Sequence, residues 1–391
     1  MSRIDDLIQQ HCPNGVEYRA LGDLLVYTQP TKYLVSSTTY DPNNPIPVLT
    51  AGQTFILGYT DETSGVYAAS PANPVIIFDD FTTASKWVNF PFKAKSSAMK
   101  MLALRSEAPA SLRYIWYAMQ LVRYSPQDHA RQWISTYSAF RIPVPPITVQ
   151  QEIVRVLDLF QSLEAELEAE LEARHFQLAH YRDSLMAFDD SVPLIPIGEL
   201  GEIYRGRRFT KGDYVYDGLG LPAIHYGELY TEYGIAATNT VTRVRAEMEP
   251  TLRFAQPGDV VIAEVGETVE DVGKATAWLG DTNVAIHDGC YGFRHSMNPK
   301  FVAYYLQTAA YHAEKSRFVA RAKVKRLSLT GIRQVRLPVP PLAEQERIVA
   351  ILDKFDALVN DLSVGLPAEL AARRKQYEYY RDRLLTFEEA A

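Results

Sequence analysis

The 391-residue sequence predicts an α+β protein in which two globular domains are joined by long helices, with a pseudo-two-fold internal repeat. Three observations support this fold class. Two segments of the chain are close copies of each other, each copy continues as a helical stripe of apolar residues, and the stretches between them carry short β-type runs. We therefore expect two domains of different sequence on a duplicated helical frame.

The repeat is clearest around two proline-rich segments. Residues 142–160 read IPVPPITVQQEIVRVLDLF and residues 337–355 read LPVPPLAEQERIVAILDKF, with 10 of 19 positions identical at an offset of 195. Further on, YRDSLMAF at 181–188 matches YRDRLLTF at 380–387 at an offset of 199. Because proline cannot continue a helix, each PVPP is expected to lead into the helix that follows it.

The residues after each PVPP have the spacing of a long amphipathic helix. Apolar side chains recur mostly three or four positions apart, from Ile153 to Phe188 in the first copy and from Ile348 to Phe387 in the second. The four added residues of the second copy amount to one extra turn, which coiled-coil packing tolerates. Gly365 and Pro367 are expected to break or kink the second helix.

The two segments between the copies read as separate α+β domains. Apolar runs such as those at 74–78 and 259–263 alternate with clusters of Gly, Asn, Asp and Pro, which favours short strands and turns. A helical pattern lies near the end of each segment, at Leu112–Val122 and Phe301–Ala313. We refer to residues 17–141 and 192–336 as the first and second inserts.

Composition and charge exclude several classes of protein. No apolar run approaches the roughly 20 residues of a membrane-spanning helix, and the first residues lack the apolar core of a signal peptide, so a cytoplasmic protein is expected. Two cysteines, Cys12 and Cys290, make neither a disulfide framework nor a structural zinc site. The net charge of −7 argues against a nonspecific nucleic-acid binder. The frame helices at 149–188 and 344–387 account for −6 of this net charge, so the inserts are nearly neutral.

The sequence contains none of the common catalytic motifs. A GxxxxGK[ST] loop, a GxGxxG turn, a Gly-x-Ser-x-Gly elbow and a His-Glu-x-x-His pair are all absent. The residues Asp41-Pro42-Asn43-Asn44 superficially resemble a loop of amino-methyltransferases, but without its second proline and aromatic residue they favour an Asx-Pro turn. His287, Cys290 and His295 fit no usual zinc spacing and are interpreted as packed or surface residues.

The first insert holds an acidic pair followed by a mixed polar segment. Asp79 and Asp80 lie at a predicted strand end; metal binding is possible, but helix capping, a turn or acceptance of a hydrogen bond from a base is favoured. The segment from Phe81 to Trp87 offers two hydroxyls, a cation and an indole. That set suits base edges and sugar–phosphate, although a plain surface loop fits it equally well.

The second insert holds the basic residues that favour nucleic acid. Residues 315–336 contain eight basic residues and no acid, with Phe318 and Val319 among them. Such a run suits an ordered element that contacts phosphates, and a solvated helix end is the alternative. A second basic cluster consists of Arg205, Arg207, Arg208 and Lys211.

Taken together, these motifs resemble the specificity subunit of type I restriction–modification systems. The resemblance is carried by PxPP-x-x-x-Q-x-x-I-V-x-x-L-D-x-F in both copies, by the terminal YRD-x-L-x-x-F, and by the opening MSRIDDLIQQHCPNGVEYRALGDL, and it covers essentially the whole chain. It implies two target recognition domains that each read one half of a split double-stranded DNA site, and conserved helices that pack antiparallel as a coiled coil. The implied boundaries are 1–146 for the first recognition domain, 147–190 for the first conserved spacer helix, 191–341 for the second recognition domain and 342–391 for the second conserved helix.

The resemblance also implies partners and roles. The chain would be non-catalytic and without a cofactor or metal of its own, and it would direct two methyltransferase subunits, which use S-adenosylmethionine, and restriction subunits, which use ATP and magnesium. On this basis the candidate DNA-binding residues are Lys32, Tyr33, Asp79, Asp80, Thr82, Thr83, Lys86, Trp87, Arg205, Arg207, Arg208, His225, Tyr226, Arg321, Lys323, Lys325 and Arg326. The candidate spacer and subunit contacts are Gln150, Phe160, Leu163, Leu167, Leu171, Gln345, Phe355 and Tyr380.

A tandem tetrapeptide in the first frame helix, Leu-Glu-Ala-Glu from Leu163 onward, has two interpretations. It is either a strong helix former with a solvated acidic face or a length adjuster that sets the gap between the two half-sites. Two other functions remain open from the residues alone. The chain could be a coiled-coil adaptor that binds only protein, or, less in keeping with the motifs, a DNA-modifying enzyme with an atypical site.

Overall fold

The computed structural model describes residues 3–52, 54–126, 130–320, 324–361 and 363–390. The chain divides into two compact units of mixed helix and strand, which confirms the predicted fold class. The first unit comprises Met1–Glu166 and Ala371–Ala391, and the second comprises Leu167–Leu370. Each unit therefore combines one insert with the beginning of one frame segment and the end of the other.

The core of the first unit is a four-stranded antiparallel sheet. Its central strands are buried, as expected from the apolar run at 74–78. The order across the sheet is Leu25–Thr28, Met99–Leu104, Val75–Asp79 and Ser85–Val88. Two smaller sheets consist of Ile56–Thr60, Ile46–Leu49 and Lys93–Ala94, and of Glu17–Ala20 with Arg141–Val144.

The helix Leu112–Met119 shares an apolar core with this sheet. It begins at Ser111, whose hydroxyl accepts a hydrogen bond from the Tyr114 amide, and it ends three residues before Val122. The helical pattern at 112–122 therefore predicted the start of the helix but placed its end too late. The other helices of the insert and N-terminal segment are Arg3–His11, Leu21–Leu24 and Gln132–Ser135, with 3-10 turns at Pro30–Tyr33 and Tyr137–Ala139.

The second unit is built on a larger sheet with a similar centre. The central strand, Val260–Ala263, is completely buried and coincides with the predicted run at 259–263. The five strands lie in the order Gly201–Arg205, Cys290–His295, Val260–Ala263, Ala275–Trp278 and Ala236–Ala237. Further sheets consist of Thr242–Val244, Leu221–Ile224, Val284–Ile286 and Phe254–Ala255; of Val265–Gly266, Lys325–Leu327 and Val319–Ala320; and of Leu194–Pro196 with Arg336–Pro338.

The single helix predicted at 301–313 is wrong, because two helices occupy this stretch. Pro299–Tyr305 and Ala309–Lys315 are separated where the Thr308 hydroxyl donates to the Tyr305 carbonyl and accepts from the Tyr311 amide. Thr308 is thus an N-cap that starts the second helix. The other helices of this insert are Ile197–Leu200, Glu228–Thr231 and Leu329–Gln334, with 3-10 turns at Lys211–Asp213, Ala246–Thr251 and Ser316–Phe318.

The frame helices begin directly after the two PVPP segments, as predicted. The first is one continuous helix, Ile147–Leu185. The second frame segment forms two helices, Leu342–Asn360 and Leu366–Leu385, so the expectation of a second long helix is corrected. The break lies at the predicted place, because the Gly365 amide donates to the Asp361 carbonyl at 3.0 Å and Pro367 follows at the start of the next helix.

Within each unit the two frame helices run antiparallel. In the first unit Phe160 stacks on Tyr380, and four residues later Glu164 pairs with Arg374, which precedes Tyr380 in the chain. In the second unit Tyr181 stacks on Phe355 with ring centroids 5.0 Å apart. Among the residues that the structure describes, no helix combines the length and the apolar character needed to cross a membrane.

Candidate nucleic-acid interface

In the second unit, two predicted DNA-binding arginines converge on one buried carboxylate. Glu264 follows the central strand, and its Oε2 lies 2.7 Å from Arg205 Nε while its Oε1 lies 3.5 Å from Arg326 Nη1. Arg205 Nε also donates to the Asp288 carbonyl oxygen at 2.7 Å. The arginine side chains are about half exposed, whereas that of Glu264 is 4% exposed. The structure thus gathers residues that are far apart in the sequence into one basic surface.

A cluster of aromatic rings includes His287, whose neighbour Asp288 accepts the hydrogen bond from Arg205. His225 packs against Tyr226 and His287, with ring centroids 4.4 Å and 4.3 Å apart, and Phe209 packs against both histidines. Burial lowers the pKa of His225 to about 4 and also lowers the pKa of His287. Nδ1 of each histidine accepts a backbone N–H, which places the proton of the neutral ring on Nε2. The His287 ring is also hydrogen-bonded to the backbone of Phe209, so the neutral His225 ring is the one that suits hydrogen bonding to a base edge.

Six other basic residues of the second insert differ in where they lie. Arg207 and Arg208 are exposed at the end of the first strand of the large sheet, and Lys325 pairs with Gly266 across the small sheet. Arg321 and Lys323 lie outside the described residues. Lys315, part of the basic run, is fully buried and donates to the carbonyl oxygens of Glu270 and Val272, so it has no surface to offer a phosphate.

In the first unit the acidic pair has structural contacts. Asp79 Oδ1 accepts the amides of Phe81 and Thr82 at 2.9 Å and so closes a turn in which Thr83 has a φ of +60°. Asp80 is fully buried, 2.8 Å from Lys100 Nζ, and accepts the Trp133 amide at 2.8 Å. The favoured interpretation as turn and capping groups fits these contacts. Because Asp80 is fully buried, it cannot reach a base, and the prediction that Asp80 contacts DNA is wrong.

The other candidates of the first insert are spread over two elements. Thr82 is exposed in the turn, whereas Lys86 and Trp87 belong to the strand Ser85–Val88, so the predicted single loop from Phe81 to Trp87 is corrected to a turn plus a strand. The Trp87 ring faces the Arg113 guanidinium at 4.7 Å, which is an internal packing contact. Lys32 is exposed on the 3-10 turn Pro30–Tyr33, where Tyr33 packs edge-on against Tyr67.

The two inserts are attached to the frame by matching sets of bonds. Gln150 is buried; its Oε1 accepts the Ser111 amide at 2.9 Å and its Nε2 donates to the carbonyls of Pro109 and Pro145. Gln345 is buried in the same way, accepting the Asn298 amide at 2.8 Å and donating to the Pro340 carbonyl. These glutamines therefore hold insert and frame together, which fits the scaffold part of the expectation, and a contact with another subunit stays a prediction.

A second matching pair lies about two turns further along each frame helix. Asp158 accepts from Arg113 Nε at 2.8 Å and from the Tyr117 hydroxyl at 2.6 Å. Asp353 accepts from Lys300 Nζ at 2.7 Å and from the Tyr304 hydroxyl at 3.0 Å. The insert residues of the two sets are related by one constant offset of 187, a repeat that the sequence comparison missed because only the tyrosine is identical.

The other frame candidates line the helix pairs. Phe160 stacks on Tyr380 in the first unit and Phe355 stacks on Tyr181 in the second, while Leu163 remains 37% exposed. Leu171 packs beside the core of the second unit, and Leu167 is half-buried. No group of three or more His, Cys, Asp or Glu residues could hold a metal ion in the part of the chain that the structure describes. Cys290 is fully buried, and His287 and His295 are half-buried.

Comparison with known proteins defines the class and then the family. Residues 192–372 match the model of the type I restriction modification DNA specificity domain. The chain is 38% identical to the type I restriction enzyme EcoR124I/EcoR124II specificity subunit of Escherichia coli over 95% of this chain and 94% of that protein. It is 24% identical to a putative type I restriction enzyme specificity subunit of Haemophilus influenzae over 95% and 96% of the two chains. The chain belongs to the specificity subunits of type I restriction–modification systems.

Solved structures show the same fold. The S subunit of a type I restriction–modification system from M. genitalium matches with a TM-score of 0.53 and 14% identity, over 95% of this chain and 96% of that one. A chain from a type I R-M system studied for its complex assembly and conformational transition matches with a TM-score of 0.55 and 18% identity, over 96% and 98% of the two chains. The resemblance stated from the sequence is thereby confirmed.

Proposed function

We propose that this chain reads a bipartite, gapped site in double-stranded DNA, one half-site with each insert, and that it performs no catalysis. The observation that carries this proposal is that the two inserts are attached to the frame in the same way but expose different residues. The same glutamine and aspartate bonds hold both inserts to the frame, whereas the exposed candidate residues of the two inserts have nothing in common. A protein that presents two different readers in equivalent positions is suited to two different half-sites.

The chemistry of the two candidate surfaces supports direct readout of bases. Arginine guanidinium groups and neutral histidine rings in the second insert are donors for purine acceptors in the major groove. The first insert offers the hydroxyls of Thr82 and Thr83 and the ammonium groups of Lys32 and Lys86. Hydroxyls and lysines suit both phosphates and base edges.

The frame would set the gap between the half-sites. The helix Ile147–Leu185 has 39 residues and is about 58 Å long at 1.5 Å per residue. A helix of this length holds its ends at a fixed distance, so base pairs between the half-sites become a spacer that the protein does not read. In this proposal the tandem tetrapeptide from Leu163 onward adjusts the gap.

The proposed partners supply what this chain lacks. Two methyltransferase subunits would bring S-adenosylmethionine and the pocket for a flipped base, and restriction subunits would bring ATP and magnesium, with the complex in the cytoplasm. Because the inserts are nearly neutral and the whole chain carries −7, the free chain should bind DNA weakly. The methyltransferase subunits would add phosphate contacts.

A gel-shift experiment tests this function against the adaptor and the enzyme. The chain alone, the methyltransferase subunit alone and the two together are titrated against DNA fragments with excess unspecific competitor. Tight binding to particular fragments by the mixture alone is the expected result. Equal binding to all fragments would favour an adaptor that binds only protein, and modification of DNA by this chain alone would favour an enzyme.

A further inference from the structure

Glu264 occupies an unusual position for a buried carboxylate. It directly follows the completely buried strand Val260–Ala263, and its backbone is fixed by bonds from the Leu327 amide to its carbonyl and from its own amide to the Gly289 carbonyl. Its side chain lies between two arginines that come from opposite ends of the insert, 59 residues before it and 62 residues after it.

The arrangement places a buried negative charge on the inner side of both arginines. Arg205 Nε faces both Glu264 Oε2 and the Asp288 carbonyl oxygen, each at 2.7 Å, so the Nε edge of this guanidinium is engaged. The Arg205 side chain is 42% exposed and that of Arg326 is 53% exposed. Two guanidinium groups this close would repel each other, and the buried carboxylate offsets that repulsion in a medium of low dielectric constant.

We propose that Glu264 is a positioning residue that presents Arg205 and Arg326 to a guanine of the second half-site, an inference that rests on the proposed function. A fixed guanidinium can donate two parallel hydrogen bonds to O6 and N7 of guanine, and this bidentate contact depends on orientation. A phosphate contact needs charge far more than orientation. An arginine pair oriented by a buried carboxylate therefore favours a base over the backbone.

The first unit shows the same framework without the exposed arginines. Asp80 follows the strand Val75–Asp79, and its carbonyl accepts the Gln132 amide just as the Glu264 carbonyl accepts the Leu327 amide. The two donor residues, Gln132 and Leu327, are 195 residues apart, which is the offset of the frame repeat. Its side chain pairs with Lys100, which is fully buried. The equivalent acid thus pairs with a buried lysine in the first insert and with two partly exposed arginines in the second.

The test uses Glu264→Gln with Asp259→Asn as its matched control. Asp259 precedes the same strand, is equally buried, and accepts from Arg294 Nη2 at 2.9 Å and from the Tyr204 hydroxyl at 2.7 Å. Each variant is expressed with its methyltransferase subunit, and methylated sites are mapped by modified-base sequencing. Glu264→Gln should weaken discrimination about tenfold at one guanine of the second half-site, the loss of a bidentate contact. The first half-site should not change, and Asp259→Asn should leave both half-sites as they are.

Two surface variants keep the inference testable if Glu264→Gln fails to fold. Arg205→Lys and Arg326→Lys retain the charge and lose the bidentate geometry, and should relax the same guanine position. The inference is overturned if all three variants lower methylation equally at every site, which indicates phosphate contact, or if Asp259→Asn relaxes the same base. A wild-type chain that yields no two-part motif would instead contradict the proposed function itself.

Discussion

Replacement of Gln150 by alanine tests whether the repeated frame glutamine joins insert to frame or contacts another subunit. The buried Gln150 side chain makes three hydrogen bonds, with the Ser111 amide and the carbonyls of Pro109 and Pro145. Each such bond contributes about 1 kcal/mol net, and buried partners left unpaired add to the loss. We expect the free energy of unfolding of the first unit to fall by about 3–4 kcal/mol.

The assay is urea unfolding of the whole chain followed by tryptophan fluorescence. Three of the four tryptophans, Trp87, Trp116 and Trp133, belong to the first unit, so the signal reports mainly on that unit. At a denaturant dependence of about 3 kcal/mol per molar urea, the midpoint should move down by about 1 M. Gln151→Ala, at the exposed neighbouring position, is the control and should leave the midpoint unchanged.

Binding to the methyltransferase subunit distinguishes a structural role of Gln150 from a contact with that subunit. At low temperature, where the variant is still folded, Gln150→Ala should copurify with the methyltransferase subunit as the unaltered chain does. An unchanged unfolding midpoint combined with loss of that copurification would refute the structural role and restore the subunit contact expected from the sequence.

The buried ion pair, a buried histidine and the tetrapeptide repeat give three further predictions. Lys100→Met should lower the stability of the first unit by about 3–5 kcal/mol because Asp80 is left charged and buried, and adding Asp80→Leu should restore most of it in urea unfolding. Burial lowers the pKa of His295 to about 4, so the second unit should lose stability as the pH falls from 6.5 to 4, where the unfolded chain binds more protons; His295→Gln should reduce that slope in thermal melts. One Leu-Glu-Ala-Glu unit inserted after Glu170 adds about 6 Å and 40° to the helix, which should lengthen the gap by one or two base pairs while both half-sites persist; an unchanged gap in methylation-site sequencing would contradict the length-adjuster hypothesis.

The elements that sequence predicted best are those determined locally. Proline geometry alone places the start of each frame helix after PVPP, and Gly365 with Pro367 places the break in the second one. The buried strands at the centre of each sheet follow from uninterrupted apolar runs. These features need no information about distant parts of the chain.

The candidate site could not be predicted in full, because its contacts join residues that are far apart in the sequence. Glu264 is one acid at the end of an apolar run, and its arginine partners are about 60 residues away in both directions. Lys315 and Asp80 looked like surface charges, yet both are buried because carbonyl oxygens or an opposite charge satisfy them. The matching bonds of Asp158 and Asp353 could have been found by comparing side-chain chemistry, since their partners Arg113 and Lys300 are both basic without being identical.

In the proposed function, this chain alone determines which DNA sites its methyltransferase partner modifies. The most direct measurement is modified-base sequencing of DNA from cells that express the methyltransferase subunit with and without this chain. A split motif with two fixed half-sites and a constant gap should be present only in cells that contain the chain. Methylation that is the same in both cultures would contradict the claim.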